Sequence, residues 1–459
     1  MNNGGVSKAN AFLVYLLIAA IFLDGFAIRN LAGFDFYFYY FIFVIGIIAS
    51  IFKYSSFSIG PRWFVSFLML FFAVNIATGV VFNTLGFLML KQIGGIIFTA
   101  AAYWAIFLFA NGNLRFIGKA YINVSYFAAI YGLLGLLVSI SGLGRFGVYG
   151  MQGNLLGLPK ISGSTSEPYF LAVSLIPAVY IHLNDIFTPS KLLGKDFSWP
   201  KSVLTIICFI LTGASSGYIA FFIILALLAY NKNLLNMRSL GLVLLPLFMY
   251  VVYFIYTVFS TNSKDFSSRV SDTWYVFSSD DEEGVKAGKI NGSSFALYSN
   301  FKVASNSFIK NPLSGSGLGT HEVNYQQYFY KYFSSKIVKR FVAELNKEDA
   351  NSTFIRLLSE TGLFGLFFFL FFVFRNLSLR KHESHFDSSV RFLLLFNQGI
   401  FIMLIIRLMR TGNYIGNGFF FFFFFYWASS LFLGEVLGPR KSAGLGMLSG
   451  KNSQPSPNI

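Results

Sequence analysis

Long apolar runs separated by short polar ones make up most of this chain. Twelve runs approach or reach bilayer-spanning length: roughly 11–28, 36–52, 63–82, 86–109, 118–140, 166–184, 201–213, 216–230, 239–260, 352–374, 391–410 and 415–434. Crossing a ~30 Å hydrocarbon core takes about 17–25 helical residues, whereas a porin strand would alternate over about ten. The pattern predicts an all-α polytopic membrane protein of about twelve transmembrane helices. Its ambiguous stretch is 201–230, where Gly213-Ala-Ser-Ser-Gly217 either separates two short helices or lies inside one long one. Charge arbitrates. With two helices, Lys53, Arg62, Arg115, Lys119, Lys191, Lys195, Lys232, Arg238, Arg375, Arg380 and Lys381 all fall on one side; one helix would move Lys232 and the 375–391 group across. The positive-inside bias selects two helices and places both termini in the cytoplasm. The first run contains Asp24 and no small-residue cleavage site follows it, so it is expected to be an anchor and not a removed signal peptide.

This arrangement divides the chain into five helices (1–140), a smaller outer loop (141–165), four helices (166–260), a large outer loop (261–351), three helices (352–435) and a cytoplasmic tail expected to be disordered (436–459). A membrane protein with one large aqueous loop usually does its binding or chemistry there. That loop carries eleven Lys/Arg against ten Asp/Glu and an acidic cluster, Asp280–Glu283. Between His321 and Leu345 the sequence is helix-like, and Tyr325, Tyr328, Tyr332, Phe333, Ile337 and Phe341 give it an aromatic face. Such a face lies on the membrane surface, stacks on sugars, or packs against the rest of the loop.

Composition narrows the classes. Hydrophobic residues are 55% of 459 and charged residues 12%, too few to cover a soluble core. The net charge of +16 sits in short loops, as orientation bias requires, and does not point to nucleic acid. Cys208 is the lone cysteine, so no intrachain disulfide forms. His182, His321, His382 and His385 are scattered without metal-ligand spacing. Gly315-Ser-Gly-Leu-Gly319 has the glycines of a phosphate loop but no surrounding strand–turn–helix, and reads as a turn approaching the membrane. The run Phe419–Phe425 is lipid-facing or packing material.

Charges within or at the rims of spans are costly unless paired or hydrated, and therefore informative. Near the outer ends lie Arg29, Lys91, Arg145, Lys160, Arg356, Arg407 and Arg410, with Asp24, Asp35, Glu167 and Glu360. Snorkelling accounts for Arg29 and Asp35 and leaves Asp24 open. Arg356 and Glu360, at i and i+4, form either a structural ion pair or an anion site in which Glu360 orients the arginine. Arg407 and Arg410 face the same leaflet from the next span. With Lys91, Lys160 and Arg145 they make an electropositive patch whose natural ligand is phosphate. Glu167 precedes Pro168 at a helix start, where Thr165 or Ser166 is the expected cap; its carboxylate answers the helix dipole or faces a reaction site.

Several short elements occur in order: Lys160-Ile-Ser-Gly163 with Glu167-Pro168, then Thr212-Gly-Ala-Ser-Ser-Gly217, then Asn311-Pro-Leu-Ser-Gly-Ser-Gly317, then Asn351 with Glu360-Thr-Gly362 and Gly365. Over about residues 60–435 this pattern resembles the O-antigen polymerase/ligase superfamily of bacterial envelope glycan assembly (Wzy and WaaL types). The resemblance implies a GT-C-like fold with two periplasmic loops and a metal-independent, cofactor-free glycosyltransferase of the bacterial inner membrane. Its substrate would be undecaprenyl-diphosphate-linked oligosaccharide, with membrane lipids and a chain-length regulator as further partners. By the same resemblance, Arg356, Arg407, Arg410, Lys160, Lys91 and Arg145 would hold the diphosphate. Glu167 or Glu360 would be the general base, and Asn351, Arg340, His321 and Tyr325 would meet the acceptor glycan. Ligases of the superfamily carry a histidine just before the Asn351 position; here it is Ala350, which favours a polymerase. A lipid-linked oligosaccharide flippase or transporter would show internal repeats and short loops, and neither is present.

Overall fold

The computed structural model describes residues 6–31, 34–84, 86–141, 154–155, 158–188, 192–194, 198–234, 292–333, 345–380 and 386–437. Seven of its helices are long and apolar enough to cross a membrane: α3 (Arg62–Val81), α4 (Phe87–Phe109), α5 (Leu114–Ile140), α6 (Pro168–Phe187), α11 (Thr353–Arg375), α12 (Ser388–Arg410) and α13 (Phe419–Leu437). Four shorter apolar helical segments stand at other expected positions: α1 (Lys8–Ala19) continued by a 3₁₀ turn to Phe22, α2 (Tyr39–Tyr54), α7 (Trp199–Leu211) and α8 (Ser215–Asn231). The chain is thus a helical, polytopic membrane protein. The expected run 239–260 and the acidic cluster Asp280–Glu283 lie outside the described residues, as does nearly all of 436–459.

Two expectations about helix limits are corrected. Where the first run was expected to end (28) and the second to begin (36), there is instead an antiparallel hairpin of β1 (Ala27–Leu31) and β2 (Phe34–Tyr37), with Ile28 paired to Phe36. Alternating aromatics satisfy a strand as well as they extend an apolar run, and their side-chain bulk favours the pleated form. The cap of α6 is Glu167 itself, with Pro168 in the first turn. Thr165 instead donates its hydroxyl to the Ser162 and Glu167 carbonyls, and the Ser166 hydroxyl donates to Asp24 at 2.6 Å. Asp24 is therefore buried and bonded, not snorkelling.

Helix α12 is the axis of the bundle, packed against α5, α6, α8, α11 and α13. Like α6, it is buried along most of its length. The phenylalanine run of α13 packs inward: Phe423 stacks on Phe372 of α11 with ring centroids 4.0 Å apart, and Phe425 lies tilted against Phe396 of α12 at 4.3 Å. A helix that is apolar all round and buried needs no amphipathic face.

The large loop contributes α9 (Gly292–Lys310) and α10 (His321–Tyr332). Their small core unites Phe295 and Val303 with Tyr325, Tyr328, Phe329 and Phe333. The aromatic face read from the sequence is therefore used for packing within the loop; Ile337 and Phe341 lie outside the described residues.

Candidate functional site

The loop joins the bundle by inserting backbone into a break in α11. At Gly362 (φ 59°, ψ −152°) the helix is interrupted. The freed carbonyls of Ser359 and Glu360 accept from the N–H groups of Ser316 (3.1 Å) and Gly317 (2.8 Å). The N–H groups of Leu363 and Phe364 donate to the carbonyls of Pro312 (2.8 Å) and Leu313 (3.0 Å). Buried backbone groups must be paired, and at membrane depth an irregular segment survives only where another segment satisfies it. Glycine is obligatory on both sides of this clamp. A Cβ on Gly362 would lie 2.6 Å from the Pro312 oxygen, and one on Gly315 2.5 Å from the Glu360 oxygen, and both residues have positive φ. The Asn311–Gly317 and Glu360–Gly362 elements are thus two halves of one joint. Asn324 of α10 fastens it, donating to the hydroxyls of Ser307, Ser316 and Ser359.

Six residues before the break, Arg356 is buried at the centre of the site. Its Nε donates to Glu360 Oε1 at 2.9 Å. One terminal nitrogen donates to the Gly412 carbonyl and the other to Gln92 Oε1 of α4, each at 2.9 Å. Its guanidinium lies 4.4 Å from the Tyr414 ring centroid. Glu360 is fully buried, and its Oε1 also accepts the His321 N–H at 3.4 Å. Arg407 is likewise buried and committed: it donates to the carbonyls of Gly416 (2.8 Å) and Asn417 (3.2 Å) and sits over Phe419. These two arginines fix the turn 411–418 between α12 and α13. Arg410 differs. It is half-buried, has no hydrogen-bond partner among the described residues, and interacts electrostatically with Asp349 and Tyr169.

The three arginines therefore surround one turn, but two are occupied by protein acceptors. Of the other expected cations, Lys91 is exposed one residue before Gln92, and half-buried Lys160 lays its stem against Gly213 in the α7–α8 linker. Glu167 is exposed at the start of α6, two residues before Tyr169. His321 and Tyr325 are buried in the loop core, where His321 Nε2 pairs with Asn300 Oδ1 at 2.9 Å and Tyr325 with Ser299. Burial holds the His321 imidazole neutral, down to about 3, with Arg356 adding to the effect. Asn351, in the left-handed region at φ 59°, accepts from Asn346 at 2.9 Å. Arg145 and Arg340 lie outside the described residues, and the side chains of Arg29 and Asp35 are not among those described.

Four participants escaped the sequence reading. Gln92 is a neutral amide inside an apolar run, and Tyr414 and Tyr169 are two of many tyrosines. Asp349 lies in Lys347-Glu-Asp349, which reads as a solvated charge run.

From Tyr414 and Leu357 an apolar groove of about 450 Å³ runs between α3, α11 and α13 to Arg375 and Asn376. Trp63, Phe67, Phe368, Phe372, Phe423 and Trp427 line most of it. Leu357 to Arg375 corresponds to roughly 27 Å of helix, close to the thickness of a bilayer's hydrocarbon core. The groove has a long aromatic body, and Tyr414 at one end of it is the ring over which the Arg356 guanidinium lies.

Comparison with curated proteins and with solved structures gives no match. Residues 202–370 match the model of the Wzy_C family, described as O-antigen ligase. The matched stretch includes the α7–α8 linker, both halves of the loop joint, and the Arg356–Glu360 pair. Over residues 202–370 this membrane protein is therefore similar to the Wzy_C family, a likeness consistent with the O-antigen polymerase/ligase superfamily.

Proposed function

We propose that the protein is a polymerase of O-antigen or a related surface glycan. It would transfer a growing chain from undecaprenyl diphosphate to the terminal sugar of a new lipid-linked repeat at the periplasmic face of the inner membrane. The observation that carries this reading is an aromatic groove of bilayer length that ends at Tyr414, the ring on which the buried Arg356 lies. An amphiphile with an anionic head and a long apolar tail matches this arrangement.

In such a transfer, bond breaking at the anomeric carbon leaves negative charge on the diphosphate. Groups that meet that charge more strongly in the transition state than in the bound donor accelerate the step. Arg410, half-buried and without a hydrogen-bond partner among the described residues, would contact the leaving group, and Lys160 and Lys91 would add positive charge. Arg356 and Arg407 hold the turn that presents it. Arg356→Ala is expected to abolish long-chain glycan in cells while the protein remains in the membrane; near-normal chain lengths would remove Arg356 from the account.

The second reading, a ligase moving finished glycan to lipid A core, is supported by the description of the matched family. Ala350, where the superfamily's ligases carry histidine, supports the polymerase. A deletion strain with single repeats attached to core indicates a polymerase. Polymerised but unattached glycan indicates a ligase.

A further inference from the structure

Two acidic residues were candidates for the base, and their surroundings separate them from a third. Glu360 is fully buried, and its Oε1 is taken by Arg356 and the His321 N–H. Glu167 is exposed at the start of α6. Asp349 stands between these extremes: it is half-buried on the turn preceding α11, outside the membrane-spanning segments. That turn is held by two consecutive non-glycine residues in the left-handed region, Ala350 (φ 57°) and Asn351 (φ 59°). Such conformations cost energy and persist where the surroundings impose them. The Asp349 carboxylate accepts from the Asn351 N–H at 3.0 Å. It interacts electrostatically with Arg356 of α11, Arg410 of α12 and the Tyr169 hydroxyl of α6, yet makes no ion pair with a described residue.

We infer that Asp349 is the general base that removes the proton from the acceptor sugar hydroxyl, with Arg410 beside it meeting the departing diphosphate. The inference rests on the transfer reaction proposed above. The acceptor oxygen bonds to the anomeric carbon of the donor as its proton passes to the Asp349 carboxylate. The bond from that carbon to the phosphate oxygen breaks, and its electron pair leaves with the lipid diphosphate. Burial raises the Asp349 carboxyl above its ordinary range, against the opposing pull of the Asn351 N–H, Arg356 and Arg410. A carboxylate so raised is the better proton acceptor.

The test uses full-length protein in nanodiscs with a synthetic undecaprenyl-diphosphate-linked repeat unit. Asp349→Asn keeps an oxygen for the Asn351 N–H and so preserves the turn while removing the basicity. It should lower kcat by about 100-fold or more, the usual range for a lost general base, with little change in KM for the donor. Asp349→Glu should keep measurable turnover with a displaced acid limb in the pH profile. Retention of kcat within threefold in Asp349→Asn, while wild type polymerises, overturns the role of Asp349 and leaves the polymerase intact. Equal loss in both variants with unfolding or lost donor binding also overturns it, since Asp349 would then be structural. Absence of any polymer with wild type is a failure of the reaction itself.

Discussion

Two buried polar clusters in this bundle are built on different terms. Toward the end of α12 away from the loop, Asn397, Gln398, Asn231, Tyr180, Ser378 and Ser429 satisfy one another. The Asn397 amide donates to the Asn376 and Tyr426 carbonyls and the Ser429 hydroxyl, and its oxygen accepts the Ser378 N–H. Gln398 exchanges hydrogen bonds with Asn231 in both directions and accepts from Tyr180. At the loop end, Gln92 Nε2, His321 Nδ1 and Asn351 Nδ2 are buried without a hydrogen-bond partner among the described residues. A complete network rigidifies; an incomplete one is costly, and an incomplete one gathered around a buried ion pair marks a place shaped for something other than stability. One cluster holds the helices together, and the other is the candidate site.

Mutations should separate the two. The largest effect is expected at the ion pair: Arg356→Ala leaves Glu360 as an uncompensated buried charge, a loss of about 3–5 kcal/mol, together with the loss of polymer. Glycan ladders and thermal melting of the detergent-solubilised protein measure both. Gly362→Ala should come next, because it forces a Cβ against the Pro312 oxygen at 2.6 Å in a left-handed position. Limited proteolysis should show the loop released from α11 while the bundle stays folded. Asn397→Leu, at the satisfied end, should lower the melting temperature yet leave kcat of the folded fraction within about twofold. Loss of kcat there would dissolve the distinction between the clusters. Phe372→Ala in the groove should raise KM for a donor with the full polyprenyl tail and leave that for a short-tailed analogue unchanged.

The smallest effect concerns pH. The His321 pKa is about 3 in the folded loop against about 6.5 when exposed. Below about 6.5 the unfolded loop binds a proton that the folded loop refuses. Loop stability is therefore full above pH 6.5 and falls as pH drops, on the order of 1 kcal/mol per unit until the folded pKa is reached. Hydrogen exchange of α9 and α10 at pH 7 and 5.5 would register it, and His321→Asn should flatten the response.

Much of this was legible in the sequence because it is local. Apolar run length marks the helices, charge bias separates α7 from α8, and the four-residue spacing of Arg356 and Glu360 puts them on one face. The joint between 312–317 and 359–364 was visible only as two glycine-bearing elements. Their pairing closes a long loop, and nothing in either stretch names its partner. The hairpin at Ala27–Tyr37 was hidden because an aromatic strand and the end of an aromatic helix have the same composition. Asp349 was hidden by its charged neighbours. Its place among Arg356, Arg410 and Tyr169 comes from three separate helices, and side-chain spacing cannot express that. Tyr325 and His321, which the resemblance assigned to the acceptor glycan, are buried in the core of the loop.

Reconstitution tests the central claim most directly. Purified protein in nanodiscs, given only an undecaprenyl-diphosphate-linked repeat unit, should yield a ladder of lipid-linked oligomers and free undecaprenyl diphosphate, with no lipid A core present. Product that forms only when lipid A core is added, as a single transfer without a ladder, would contradict it.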